Sequence, residues 1–345
     1  MQWTLNLAEN GWLPDPAVKA GIRRLLRGRI SSIRSDPHGI AELTRQMRAS
    51  PIALATDAAN DQHYELPPRF FELALGRHLK YSGCYWPAGT ESLDAAEAAA
   101  LEQTCRRAGI RDGMRILDLG CGWGSLSLWI GERYPNCRIT SVSNSAGQGD
   151  FIRERALERG IRNLEVLTAD MNAFQAARTF DRIVSVEMFE HMRNYEVLLA
   201  RLAGWLEPDG RLFVHVFCHR EHPYFFEDEG AGDWMARHFF TGGLMPSERL
   251  MEEFSGPLRL AERWRVNGRH YRKTALAWLG NIDRNREEIL AIFTATYGPA
   301  DATRWFHRWR MFFLACAELF GFNDGEEWFV SHSLWSPAES TRNVH

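Results

Sequence analysis

The sequence predicts an α/β domain built on a mostly parallel sheet with helices on both faces, and three observations carry that prediction. The first is the stretch ILDLGCGWGSLSLWI, residues 116–130, which reads as strand, glycine turn and helix. The second is the alternation of short apolar runs with helical segments between about residues 91 and 217. The third is an interruption: residues 221–256 are aromatic and glycine-rich, and they break the alternation after the fifth strand.

The glycine turn comes first. Arg115 to Leu119 is a short apolar strand containing Asp118, and Gly120, Gly122 and Gly124 follow at alternate positions. Alternate glycines let the chain turn sharply and leave no Cβ between the backbone and a ligand. The turn lies at the carboxyl end of a strand, where open α/β sheets bind cofactors. The spacing G-x-G-x-G differs from the dinucleotide fingerprint G-x-G-x-x-G.

The remaining elements follow in order. Residues 1–90 read as a helical N-terminal cover. Within it, Ala17 to Ile33 places Ile22, Leu25, Leu26 and Ile30 on one face with Arg23, Arg24, Arg27 and Arg29 interleaved. Such a helix can lie on a membrane surface. Gly21 and Gly28 weaken it, and a solvated arginine face on an ordinary surface helix is the preferred reading. Residues 91–345 read as the sheet domain. Thr90 is the expected N-cap of a helix ending at Ala108-Gly109. After the glycine turn, Cys137–Val142 is a second strand, Gln148–Arg159 a helix stopped by Gly160, and Leu164–Leu167 a third strand leading to Asp170. Asp181–Val186 is a fourth strand, Tyr195–Leu206 a helix stopped by Pro208 and Gly210, and Arg211–Phe217 a fifth strand. A lid insert spans about 219–256. A sixth strand and a further segment occupy 257–279. Residues 301–320 form an aromatic helix whose Trp305, Trp309, Phe312, Phe313 and Cys316 read as core. Glu327–Trp335 is a last strand.

Composition narrows the function classes. A chain of 345 residues makes one large domain or one domain with an accessory layer. The net charge of -3 makes no case for nucleic acid. The six cysteines show no C-x-x-C pair, which suits a reduced, cytoplasmic protein. No apolar run approaches the roughly 18 to 20 residues of a membrane span, and no signal peptide is visible.

Chemistry concentrates after the fourth strand. Glu187, Glu190 and His191 leave its carboxyl end, and in a helical turn the offsets of three and four would put all three on one face. Two carboxylates and an imidazole suit an amine: an ammonium must lose a proton before its nitrogen can attack a methyl group, and a carboxylate or imidazole can take it. A carboxylate also steadies a cationic product. His215, His219 and His222 with Cys218 match no closed metal-ligand set, so no metal is expected.

The glycine stretch resembles motif I of the class I S-adenosylmethionine (SAM) methyltransferases, which implies a Rossmann-like, mostly parallel seven-stranded sheet. The resemblance extends from about Asn60 to Trp335 through YSGCYW, LDLGCGWGSL, VSNSAGQ, SVEMFEHMRNY, FVHVFCH, GGLMPS, NGRHYRKT and NDGEEWFVSH. These stretches are similar to the cyclopropane-fatty-acid synthase superfamily of SAM-dependent methyltransferases, and within it to the coclaurine N-methyltransferase-like branch. The resemblance implies SAM as cofactor, surrounded by Tyr81, Ser82, Asp118, Gly120, Gly122, Asn144, Ser145, Gln148, Asp170, Met171 and Val186. An amide at Asn144 or Gln148 stands where a carboxylate usually holds the ribose hydroxyls, and Asp170 is expected at the adenine amino group. Glu190 and His191 are then base candidates and Glu187 the amine's partner, with Phe189, His215 and Tyr271 toward the substrate.

Two branches separate by residue. The lipid cyclopropane synthases resemble Y-S-C-x-Y-W and G-M-F-E-H, and hold a bicarbonate ion with the cysteine, the glutamate, a histidine on the fifth strand and a later tyrosine. Here Gly83 stands at the cysteine position and Glu187 at the glycine, while Glu190, His215 and Tyr271 remain. The departures favour methyl transfer from SAM to a small-molecule amine. The alternative is a cyclopropane-fatty-acyl-phospholipid synthase-like enzyme acting on unsaturated acyl chains. The expected partner is a small-molecule amine, with room for peripheral lipid contact and a homodimer, and without nucleic acid or integral membrane association.

Overall fold

The computed structural model describes residues 2–35, 39–54, 66–227, 230 and 233–338. Its strands are β1 (Arg115–Leu119), β2 (Arg138–Ser143), β3 (Leu164–Thr168), β4 (Phe180–Val186), β5 (Leu206–His219), β6 (Tyr224–Phe225), β7 (Leu244–Met245), β8 (Leu258–Val266) and β9 (Trp328–Pro337). Seven of them form one sheet in the order β3-β2-β1-β4-β5-β9-β8. The five from β3 to β5 pair in parallel, β9 returns antiparallel beside β5, and β8 pairs antiparallel with β9. This is the Rossmann-like sheet expected of a class I SAM methyltransferase.

The twelve helices are α1 (Gln2–Glu9), α2 (Asp15–Arg34), α3 (Gly39–Ala49), α4 (Pro68–Ala74), α5 (Leu93–Ala108), α6 (Ser125–Arg133), α7 (Ala146–Glu158), α8 (Tyr195–Trp205), α9 (Trp234–His238), α10 (Gly268–Arg284), α11 (Arg286–Tyr297) and α12 (Ala302–Gly321) among the described residues. Alternation along each parallel strand decides which helices cover which face. Ile116, Val184 and Phe213 pack with Leu101, Leu126 and Ile130 of α5 and α6. Their neighbours Leu117, Ile183 and Leu212 pack with Leu198 and Leu202 of α8 and with Met47 of α3.

Local signals differ from expectation in a few places. Ser92, not Thr90, caps α5: its side chain accepts from the Ala95 amide, and α5 begins one residue later. Helix α7 starts at Ala146 because Ser145 caps it through the Gln148 amide. Helix α8 stops at Trp205, and the chain runs straight into β5, so Pro208 and Gly210 lie inside the strand at a register shift opposite Phe180 and Arg182.

The cover is the larger revision. It is shared between the two ends of the chain. Helices α1, α2 and α4 join α10, α11 and α12 in one apolar cluster that includes Phe70, Trp278, Phe293, Trp309 and Phe313. Helices α10 and α11 are absent from the sequence reading, which leaves 257–279 as a strand and a segment. Arg23, Arg24 and Arg27 of α2 are exposed, as the sequence reading expects, but three arginines of the helix also make ion pairs that fasten it down. Arg23 pairs with Glu318 of α12, Arg29 with Asp233 at the start of α9, and Arg34 with Glu327 before β9. Their partners are mostly buried, so α2 is latched down as a roof. No helix among the described residues is long and apolar enough to cross a membrane.

Candidate active site

The strand order reverses direction between β1 and β4, and ligands bind outside the carboxyl ends of strands at such a point. The register puts Leu119 opposite Ser185, so Gly120 and Glu187 leave neighbouring strand ends together. Gly120 has φ +76° and Gly122 φ +52°, both left-handed. A Cβ added at Gly120 would meet Met188 at 2.7 Å, whereas one at Gly122 would meet nothing within 4 Å. The first glycine is required by packing; the second faces open space.

Glu187 also has a left-handed backbone, φ +50°, unusual for a residue with a side chain. In the lipid branch this position resembles glycine. Holding a glutamate there costs roughly 1–2 kcal/mol, and the surroundings over-determine it. Glu187 Oε1 accepts from the Gly83 amide at 2.8 Å and faces His215 Nε2 at 3.1 Å; Oε2 accepts from the Tyr271 hydroxyl at 2.8 Å. Lys80, itself buried, holds the Gly83 segment by donating to Ser82 Oγ and the Gly83 carbonyl. A Cβ at Gly83 would come within 2.9 Å of the Tyr271 ring, so the position is tight against any side chain. Two of the groups that the resemblance assigns to a bicarbonate ion, His215 and Tyr271, therefore meet the chain's own carboxylate, together with the backbone amide of Gly83 at the cysteine position.

Three cavities meet here. One of about 580 Å³ lies under α2 and the lid insert, walled by Tyr81, Phe217, Tyr224, Phe226, Trp234, Phe240, Tyr271, Trp278, Phe312 and Phe320, with Glu187 and His191 in its wall. Ile22, Leu25 and Leu26 of α2 close it from above, and Phe312 and Cys316 of α12 serve as its wall instead of only as core. A second, of about 70 Å³, is lined by Tyr81, Ser82, Asp118, Gly120, Gly122, Val186 and Glu187. A third, of about 90 Å³, is lined by Gly120, Gly122, Asn144, Gln148, Met171, Glu187 and His191. Glu187 touches all three.

The two smaller cavities fit SAM. Both open on the bare face of Gly122, which a Cβ would fill. Each contains a buried polar atom with no partner among the described residues: Ser125 Oγ in the first, at the start of α6, and Gln148 Nε2 in the second. A hydroxyl at a helix N-terminus suits a carboxylate tail, and an amide N–H suits a sugar hydroxyl.

Other expected residues fall differently. Ser145 is spent capping α7. Asp170 sits between cavity residues Ala169 and Met171, and its Oδ1 accepts from the Asn172 amide at 2.6 Å. Phe189 is fully buried against Tyr195 and lines none of the three cavities. Glu187, Glu190 and His191 do not share one face. Phe189–His191 is a single 3-10 turn, and the left-handed Glu187 turns the carboxylates apart. Glu190 is fully buried behind the cavities, its Oε1 accepting from the Phe217 amide. The groups missing from the sequence reading are Lys80, the Gly83 amide and His332; the last lies within NDGEEWFVSH but carries no separate signal there.

Electrostatics divides the trio. Burial pushes the Glu190 carboxyl far above its usual range, and the Glu187 charge pushes it further, so Glu190 is the harder of the two carboxyls to ionise. Burial raises Glu187 too, but Lys80, the Gly83 amide and Tyr271 oppose that rise. Burial lowers His191 to about 4, against the pull of Glu187, leaving a neutral imidazole at pH 7.

Comparison with known proteins agrees with this geometry. The family described as mycolic acid cyclopropane synthetase matches residues 54–326. A (S)-coclaurine N-methyltransferase from Thalictrum flavum subsp. glaucum is 38% identical over 340 residues, covering 96% of this chain and 94% of that one. The crystal structure of a coclaurine N-methyltransferase bound to N-methylheliamine and SAH superposes with a TM-score of 0.92 at 36% identity, covering 96% of this chain and 98% of that one. A cyclopropane-fatty-acyl-phospholipid synthase from Escherichia coli (strain K12) is 30% identical over 278 residues, covering 79% of this chain and 66% of that one.

Proposed function

The chain belongs to the family described as mycolic acid cyclopropane synthetase, and on that premise we propose that this SAM-dependent methyltransferase methylates the nitrogen of an aromatic small-molecule amine, with Glu187 and His191 at the reacting nitrogen. One observation carries the reading: Glu187 and His191 together line both the large aromatic cavity and a glycine-lined one. The relatives named for coclaurine and heliamine supply the kind of amine.

SAM, when bound, supplies an electrophilic methyl group on its sulfonium. The chain's residues do the rest. A carboxylate offers about four lone-pair directions. Gly83, His215 and Tyr271 fill three on Glu187, leaving one for the substrate ammonium. His191, neutral at pH 7, takes the ammonium proton on a ring nitrogen and frees the lone pair that attacks. Aromatic walls would hold the apolar body of the amine and fix the direction in which its nitrogen faces. Glu190, outside the cavities, accepts from the Phe217 amide and supports this turn from below.

The lipid reading is disfavoured because Glu187 already engages His215 and Tyr271, two of the groups that a bicarbonate ion would need, and the cysteine position is Gly83. The test is incubation with methyl-labelled SAM and, separately, coclaurine, heliamine and vesicles of an unsaturated phospholipid. Label in an N-methyl product is expected; label in the lipid alone would overturn the reading.

A further inference from the structure

His215 on β5 and His332 on β9 are register partners in the antiparallel pair. Their rings meet with His332 Nε2 3.0 Å from His215 Nδ1. The outer nitrogens are engaged as well. His215 Nε2 faces Glu187 Oε1, and His332 Nδ1 lies 2.7 Å from Nη1 of Arg107 on α5. Both imidazoles are buried. The edge of the Phe213 ring packs on His332, and the Arg107 guanidinium lies 5.2 Å above the ring of Trp264, which is the register partner of His332 on β8. Four side chains from four elements thus form one unbroken line that ends at the active-site carboxylate.

The line has a direction. A guanidinium has N–H donors and no acceptor. His332 Nδ1 must therefore present its lone pair to Arg107. A neutral imidazole carries one N–H, so that of His332 is on Nε2 and donates to His215 Nδ1. The same count puts the His215 proton on Nε2, aimed at Glu187. Burial holds both imidazoles far below the ordinary histidine range, with the Arg107 and Lys80 charges adding to it, so both are neutral.

We propose that Arg107 and His332 are positioning residues for methyl transfer: they lock His215 in the Nε2–H tautomer, which keeps Glu187 an ionised acceptor with one direction open to the substrate ammonium. The proposal rests on the reading of Glu187 as the amine's partner. It also closes one route. Arg107 cannot accept a proton, so the proton taken from the amine cannot leave along this line and must depart through His191. Without Arg107, His332 is free to carry its proton on Nδ1. His215 then turns its Nε2 lone pair toward Glu187, and the carboxylate takes up a proton or loses its orientation. The other groups that face Glu187 are Lys80, His191, Glu190, Tyr271 and the Gly83 amide, and none of them replaces that donor.

The test uses full-length enzyme with ¹⁵N-labelled histidine. In the free wild-type protein, NMR should show His215 and His332 each protonated on Nε2 and bare on Nδ1. Arg107→Met should give mixed tautomers at both. It should also raise KM for the amine on the order of tenfold, the worth of a charge-assisted hydrogen bond. The acid limb of kcat/KM should move to higher pH, and calorimetric SAM affinity should stay unchanged. Arg107→Lys, which keeps charge and donor, should restore all three readouts. A wild-type His215 protonated on Nδ1 overturns the proposal, as does an Arg107→Met enzyme with wild-type tautomers and kinetics. The tautomer is read without substrate, so it stands or falls separately from the amine reading. It also decides the matter if Arg107→Met does not fold.

Discussion

Tyr271 donates its hydroxyl to Glu187 Oε2 at 2.8 Å, tying α10 to the end of β4. The Tyr271 ring is stacked on Phe320 at 4.1 Å and 7°, so the hydroxyl cannot drift. This contact, made between residues 84 positions apart, fixes the aim of the carboxylate proposed as the amine's partner.

Tyr271→Phe removes that donor and leaves the stacking. A hydrogen bond to a charged group is worth about 1.5–3 kcal/mol, so kcat/KM for the amine should fall roughly 10- to 100-fold. The lost donor favoured the ionised form, so the pKa of Glu187 should rise and the acid limb of the pH–rate profile should move to higher pH. A profile superimposable on wild type would show that Tyr271 has no part in setting the carboxylate.

The two remaining members of the trio should part company under mutation. His191→Ala should lower kcat by about 100- to 10,000-fold, the usual contribution of a general base, with partial recovery as the pH is raised. Glu190→Gln should stay within a few-fold of wild type, because Glu190 lines none of the three cavities and the amide can still accept from Phe217. Steady-state kinetics of both variants on one amine makes the comparison; a Glu190→Gln enzyme as impaired as His191→Ala would return Glu190 to the role of base.

Gly122→Ala places a methyl group in open space that SAM should claim. Titration calorimetry should show SAM affinity reduced tenfold or more, beyond the roughly 1–2 kcal/mol of stability lost to the left-handed backbone. Melting curves separate the two effects. Gly120→Ala, by contrast, should unfold the turn against Met188.

Glu187→Gly should lose amine methylation, since the ammonium then has no partner. The vacated donors of Gly83, His215 and Tyr271 would suit a small carboxylate, so formate or bicarbonate at tens of millimolar should restore part of the rate. The wild-type enzyme should be indifferent to bicarbonate depletion; a large drop in its rate would argue for the lipid branch.

Buried neutral histidines make stability depend on pH in one direction. His191 and His219 are each lowered to about 4 by burial, and His215 and His332 lie well below the ordinary value. The unfolded chain binds these protons near pH 6.5, while the folded chain refuses them. The histidine contribution to stability should be full above about pH 6.5 and decline as the pH falls through about 4, opposed by the buried carboxyls of Asp118 and Glu97, which burial raises to about 6 and about 7 and whose contribution grows over the same fall. Melting temperatures at pH 7.5, 6 and 5 isolate it: the change on acidification should be less destabilising in His219→Gln than in wild type, and an equal change in both would remove the histidine term.

Sequence alone was enough for the sheet and the cofactor turn, because both are written in local pattern. Short apolar runs, their alternation with helical segments and alternate glycines act over a few residues, and Gly120, Gly122 and Glu187 follow directly from strand ends, whereas the capping roles of Ser92 and Ser145 were missed. It also marked the departures at Gly83 and Glu187 that separate the branches. It did not show that Glu190 turns inward while Glu187 turns to the cavity. That depends on one left-handed residue, held by donors from residues 83, 215 and 271. Nor did it show that Arg23, Arg29 and Arg34 of α2 are latched to Glu318, Asp233 and Glu327, or that Arg107 and His332 stand in line behind His215. Those relations join positions tens to hundreds of residues apart, and only strand register and helix packing bring them within hydrogen-bonding distance.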